Sequence, residues 1–372
     1  MAMVFLDGNE ATALAAVRAG CRFFAGYPIT PATPIYHHLL KMLPPKGGVC
    51  LQGEDEIASI GFCLGASMAG LKAMTATSGP GISLYSEQIS FAIGGEIPLV
   101  IADVQRLGPS TGSATKGADG DIQFLRWSNS GGLPVIVLAP VDVADCYTLT
   151  VHAFNLSERF RCPVFLASNK ETAMTRESVD LASLQIPTVV SRNHCPPDRE
   201  FLPFGPGGEK DVPYFLPLGG DRLVRQTSST HDEYGYITGD TETIARGIRR
   251  MENKLLGAIN SLSLFEYDRD ESADSLLIVY GVTARAAREA VQRIRDAGGA
   301  VSLLILKTLF PVPEKTIQRC IADAERVMVI EMNLGQYVRE IERLAGSKSV
   351  EFHGQMDGKL ISPAAMCEVM GL

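Results

Sequence analysis

The sequence is poor in the features that mark several large protein classes. Its eight cysteines, Cys21, Cys50, Cys63, Cys146, Cys162, Cys195, Cys320 and Cys367, form no CxxC pair. That pattern argues against a zinc or iron–sulfur site on this chain and favours buried free thiols. No apolar run reaches the roughly 18–20 residues that span a bilayer. Asp7 and Glu10 stand where a signal peptide would be apolar, so a cytoplasmic protein without a membrane partner is expected. No block of basic residues occurs, and 34 Lys and Arg against 42 Asp and Glu leave a net charge of −8. Nucleic acid is therefore not expected as a partner. Both GxxxxGK[ST] and GxGxxG are missing. The six histidines show neither HxxxH spacing nor a Ser/His/Asp order, which disfavours metalloprotease and hydrolase readings. His37 and His38 fall on an amphipathic stretch and His231 in STHDEYG, and satisfied or surface histidines are expected at all three.

What is present is an α/β pattern. At 372 residues, with 46% hydrophobic and 20% charged residues, the chain can bury two substantial cores. Apolar runs alternate with amphipathic or small-residue stretches through the first half, the rhythm of βαβ units around a parallel sheet. NEATALAAVRAG (9–20) and DEIASIGFCLGASMAG (55–70) read as helices, while KAMTATSG, PLVIADVQ, LPVIVLAP and CPVFLAS read as strands. This first domain spans residues 1–190. HCPPDREFLPFGPGGEKDVPYFLP (194–217) is too rich in Pro and Gly for a regular helix or central strand, and marks a connector. A charged helical stretch closes a linker region over 191–273. Periodicity then returns in SLLIVYG, TARAAREAVQRIRDAGG, VSLLILKTLFPVP and RVMVIEMN, a smaller α/β domain over 274–372.

Ligands of open α/β sheets bind at the carboxyl ends of strands. Four segments fall there: GYPITPATP (26–34), GEDE (53–56), TSGPG (77–81) and DVQRLGPSTG (103–112). Three prolines stiffen the first and hold Thr30 in a rigid loop. TSGPG, between a strand and a helix, reads either as an anion-facing turn or as a tight connection. Arg106 ends an apolar strand, where it serves either as a two-pronged carboxylate grip or as a solvated strand-end arginine. Glu54, Asp55 and Glu56 read as the acidic first turn of a helix or as catalytic carboxylates.

Taken in order, GNEATALAAVRAGCRFFAGYPITPATP, GEDEIASIGFCLGASMAGLKAMTATSGPGISLYSEQIS and EIPLVIADVQRLGPSTGSAT resemble the α subunit of the 2-oxoacid:ferredoxin oxidoreductases, in particular the 2-oxoglutarate branch. THDEYGYITGD and VIEMNLGQ extend the resemblance over nearly the whole chain. It implies a doubly wound domain of the thiamine-diphosphate (pyrimidine-binding) type and a smaller transketolase C-terminal-like α/β domain. It also implies oxidative decarboxylation of a 2-oxoacid with coenzyme A and ferredoxin. A β subunit would carry the diphosphate and Mg2+ site and the iron–sulfur clusters. GADGDIQ (117–123) is this chain's one candidate for the GDG-and-Asn metal signature, and it lacks the Asn at the required distance.

By the same resemblance, Glu56 is the carboxylate that activates the cofactor's aminopyrimidine, with Glu54 the alternative. Thr30 and Arg106 contact substrate, and Pro28, Ile29, Ser78 and Gly79 line the cofactor. Some relatives carry a His after the RW pair, whereas RWSNSGGLP has none, so the choice of 2-oxoacid stays open between 2-oxoglutarate and branched-chain, aryl or pyruvate-type acids. The rival of a different class is a non-catalytic nucleotide- or metabolite-binding protein, against which the missing fingerprint glycines count.

Overall fold

The computed structural model describes residues 3–207 and 212–371. Its strands in chain order are β1 (Val4–Asp7), β2 (Cys21–Gly26), β3 (Val49–Gln52), β4 (Lys72–Thr77), β5 (Leu99–Gln105), β6 (Ile136–Leu138), β7 (Pro163–Asn169) and β8 (Arg176–Val179). They continue with β9 (Phe265–Asp268), β10 (Ser275–Tyr280), β11 (Ser302–Leu306), β12 (Thr308–Phe310), β13 (Arg326–Glu331) and β14 (Val350–Gly354). A seven-stranded sheet runs β12-β6-β7-β5-β4-β2-β3, a five-stranded sheet β14-β13-β10-β11-β9, and β1 pairs with β8. β2 to β7 are parallel to one another in the large sheet. Helices cover both faces, so every residue of β5 and β7 is buried and the sequence there reads as a continuous apolar run rather than an alternation.

Local chemistry sets the helix ends. The Asp7 carboxylate accepts from the Glu10 N–H at 2.9 Å and starts the helix Gly8–Arg18, and Gly20 leaves it at φ +92°. Asp55 accepts from the Ala58 N–H at 2.7 Å and starts Glu56–Met68. Small residues bring that second helix close to the sheet, where Ser67 donates to the Pro98 carbonyl at 2.5 Å.

VSLLILKTLFPVP, which reads as one strand, is two. β11 stays in the small sheet between β10 and β9, whereas β12 crosses over and pairs antiparallel with β6 of the large sheet. Lys307, at the change of sheet, is held by Asp145 at 2.8 Å and Glu266 at 2.6 Å. A continuous apolar run cannot reveal such a transfer, because residues buried in either sheet satisfy it equally.

The connector is tied down by buried arginines. Arg161 donates to the carbonyls of Glu96 (3.1 Å), Pro203 (3.2 Å) and Tyr214 (3.0 Å). Arg192 pairs with Glu158 at 2.7 Å and caps the carbonyls of Ser67 and Leu71. Among the described residues, no helix is long and apolar enough to cross a membrane.

Candidate active site

The strand order β5-β4-β2-β3 makes the four candidate loops neighbours along one edge of the large sheet. The chain passes from β2 to β3 on one side and then returns across to β4 on the other. This reversal opens a crevice between the GYPITPATP and TSGPG loops, the place where such sheets take ligands.

Arg106 follows β5 directly and is 5% exposed. Its Nη1 donates to the Thr30 carbonyl at 2.6 Å, so two residues 76 positions apart meet across the crevice. The bond engages the Thr30 carbonyl, not its hydroxyl. Thr30 itself is exposed, Pro28 beside it is exposed and Ile29 is half-buried, which puts these three at the crevice mouth. The Arg106 Nε is buried without a partner. Burial depresses the basicity of its guanidinium, while Asp121 and Glu56 act in the opposite sense.

The acidic triplet separates into three environments. Glu54 is exposed, Asp55 is engaged as the helix cap, and Glu56 is 7% exposed on the first turn of the helix. The TSGPG turn lies against Glu56. A Cβ on Gly81 would stand 2.0 Å from Thr77 Oγ1 and 2.8 Å from Glu56 Oε1, so only glycine permits the approach. Gly79, at φ +38°, brings its backbone beside Arg106, where a Cβ would lie 3.7 Å from Nε. Thr77 Oγ1 and Ser78 Oγ are buried without partners. Buried polar atoms are almost always paired in native proteins. A crevice that combines such hydroxyls, an unpaired guanidinium N–H and a buried carboxylate suits a polar heterocycle and an organic anion, and the aminopyrimidine of thiamine diphosphate fits it.

Two further acids were not singled out from the sequence. Asp103 lies within β5 and is wholly buried with neither oxygen receiving a donor, and Asp121 stands beside it. The available signal was a charged residue inside the otherwise apolar run LVIADVQ. GADGDIQ forms a clasp between the two sheets. Asp119 accepts from Asn169 at 2.9 Å, its N–H donates to the Met332 carbonyl at 2.9 Å, and Gln336 donates to the Gly120 carbonyl at 2.5 Å. Burial pushes the Asp119 carboxyl up to about 7.

The pyruvate flavodoxin/ferredoxin oxidoreductase, thiamine-diphosphate-binding family model matches residues 14–250, and the pyruvate:ferredoxin oxidoreductase core domain II model matches residues 273–366. The chain belongs to this oxidoreductase family. Among curated members, 2-oxoglutarate synthase subunit KorA of Methanocaldococcus jannaschii is 40% identical over 92% of this chain and 92% of its own. The same subunit of Methanothermobacter thermautotrophicus is 37% identical over 96% of both chains. Ketoisovalerate oxidoreductase subunit VorB of the latter organism is 33% identical over 97% of this chain and 95% of its own. A solved family structure, the 2-oxoglutarate:ferredoxin oxidoreductase of Magnetococcus marinus with 2-oxoglutarate, coenzyme A and succinyl-CoA bound, superposes with a TM-score of 0.94 at 31% identity. It is covered over 99% of this chain and 65% of that one, so the present chain spans about two thirds of its length. A split-gene transketolase, at a TM-score of 0.56 and 14% identity, shares the fold. The family's two-part α/β architecture is thus the one seen here: a thiamine-diphosphate-binding domain with a parallel sheet, followed by core domain II.

Proposed function

We propose that this chain is the α subunit of a thiamine-diphosphate-dependent 2-oxoacid:ferredoxin oxidoreductase. With coenzyme A, the assembled enzyme converts a 2-oxoacid, 2-oxoglutarate in the first instance, to acyl-CoA, CO2 and reduced ferredoxin. The observation that carries the reading is the juxtaposition of buried Glu56 with Gly81, beside an Arg106 whose Nε is unpaired and whose Nη1 is tied to the Thr30 loop.

When bound, thiamine diphosphate supplies a nucleophilic carbon that adds to a 2-oxo group. Glu56 would hold the ring edge of the aminopyrimidine and a proton there, and its burial would keep water from competing for that contact. Ser78 and Gly79 offer a hydroxyl and a backbone approach, with Pro28 and Ile29 as the stiff wall. Arg106 grips the 2-oxoacid carboxylate. The Thr30 hydroxyl would donate to the 2-oxo oxygen of the substrate, a role that suits a rigid loop.

A β subunit supplies the diphosphate and Mg2+ site and the iron–sulfur clusters, and ferredoxin takes the electrons. Support for a partner at this edge comes from Tyr27, Ile57 and Phe62, exposed apolar side chains on the loop and helix that carry Thr30 and Glu56. The 33% identity to ketoisovalerate oxidoreductase subunits supports a second reading, the same chemistry on a branched-chain 2-oxoacid.

The test is assembly. The purified chain alone is expected to oxidise no 2-oxoacid and to show no iron–sulfur absorbance, and coexpression with the β subunit restores both. Cluster absorbance that stays with the isolated chain through gel filtration overturns the division of labour.

Within the assembled enzyme, Thr30→Val and Arg106→Lys separate the two substrate contacts. Thr30→Val lowers turnover more than apparent affinity, by about 2–4 kcal/mol of transition-state stabilisation. Arg106→Lys keeps the charge but loses the two-pronged geometry, and raises the KM for the acid. Steady-state kinetics with 2-oxoglutarate, pyruvate and 2-oxoisovalerate check both and rank the substrates. Wild-type values for both variants on the preferred acid would reduce the proline-rich loop to scaffold.

A further inference from the structure

Asp103, wholly buried, and Asp121, half-buried, form an acid pair near Arg106, and neither has a role in the reading above. Asp103 is fully enclosed in the sheet, and neither of its oxygens receives a donor from an uncharged group. Asp121 is fixed in place by its own N–H, which donates to Gln105 Oε1 at 2.9 Å, and Gln105 in turn donates to the Ser168 carbonyl at 3.3 Å. The Asp121 Oδ2 is buried without a hydrogen-bond partner, and Asp103 and Arg106 are charged groups that act on the Asp121 carboxylate. Two carboxylates in contact away from water cannot both be ionised at modest cost, whereas one proton between them gives a hydrogen bond and a single negative charge.

We infer that Asp103 and Asp121 share one proton, with Asp103 as donor, and that the single remaining charge on Asp121 orients the Arg106 guanidinium toward the substrate carboxylate. Both are positioning residues. The proton matters because Arg106 already feels the Asp121 carboxylate, and a second charge on the pair would compete with the substrate carboxylate for the guanidinium. The other charged groups packed around the pair are Asp119 on the same loop and, beyond it, Glu331 of the small sheet. Burial, then the Asp121 carboxylate, raises the Asp103 carboxyl well above the usual carboxylate range, in keeping with the arrangement.

The role assigned to Arg106 rests on the oxidoreductase reading, so the experiment has one arm that needs no activity. Infrared spectra of the full chain at neutral pH are expected to show a protonated-carboxyl carbonyl band that Asp103→Asn deletes. Kinetics of the assembled α–β enzyme form the second arm. In the wild type, the KM for 2-oxoglutarate rises toward alkaline pH as the shared proton is lost, with little change in kcat. Asp103→Asn, neutral and still a donor to Asp121, flattens that rise. Asp121→Asn removes the orienting charge and raises KM about tenfold at all pH values, again with a smaller effect on kcat. If Asp121→Asn does not fold, the infrared band and the Asp103→Asn pH profile still decide. Identical infrared spectra for wild type and Asp103→Asn overturn the shared proton. Equal KM–pH profiles for those two proteins overturn the link to Arg106. An assembled enzyme that oxidises no 2-oxoacid while its α chain shows the band overturns the oxidoreductase reading and the role of Arg106, but leaves the shared proton standing.

Discussion

Glu56→Gln lowers 2-oxoacid oxidation by the assembled enzyme by well over about a hundredfold, the scale of a positioned proton-transfer group. The subunit stays folded, for three reasons. Gln has the shape of Glu and fits against Gly81, where the carboxylate now lies. The helix start is held by Asp55, whose bond to the Ala58 N–H is untouched. An acidic residue in a first turn contributes at most about 1 kcal/mol through the helix dipole. Turnover, read together with a thermal melt of the variant subunit, checks the expectation. Glu54→Gln is the control: Glu54 is exposed, two residues before Glu56, and its substitution leaves turnover close to wild type. An inactive Glu54→Gln beside an active Glu56→Gln moves the assignment to Glu54.

Glu96→Gln costs the fold about 3–5 kcal/mol, the penalty for stranding buried cations. Glu96 is wholly buried, with Arg250 at 2.5 Å and Lys254 at 2.8 Å, both from the linker helix Thr241–Leu256. Burial alone would raise its pKa, but Lys254, Arg250 and Arg161 together hold the carboxyl well below the usual carboxylate range. Lys254 and Arg161 are buried as well, so removing the charge leaves them uncompensated. Because the folded pKa lies below the unfolded one, this stabilisation is complete above about pH 5 and is lost as the pH falls through and below the ordinary Glu range near 4.3. Chemical denaturation of the wild type and the variant at pH 7 shows the full gap, and the gap narrows at pH 4. A difference below about 1 kcal/mol at pH 7 contradicts the role, since that is the worth of a surface pair.

The sequence by itself determined the parts of this protein that are set locally. Apolar runs flanked by caps placed β4, β5 and β7 and the helices Gly8–Arg18 and Glu56–Met68, because burial on both faces and N-cap geometry are written in adjacent residues. The family was legible for a related reason: several loops, each constrained by its own glycines and prolines, occur in a fixed order. Thr30, Glu56, Ser78, Gly79 and Arg106 could be named because each falls in one of those loops.

Tertiary structure decided whatever depends on partners distant in sequence. Spacing gives no hint that Arg106 donates to the Thr30 carbonyl, or that Gly81 is a glycine because Glu56 and Thr77 occupy the space a Cβ would need. Transfer of β12 to the large sheet is invisible in an apolar run that suits either sheet. Glu96, Arg161 and Arg192 look like ordinary surface charges in the sequence, yet they tie the linker helix and connector to the first domain. Asp103 and Asp121 are 18 residues apart and meet only when β5 and the clasp loop pack together. A buried charge depends on its surroundings, and those are assembled only when distant segments fold against one another.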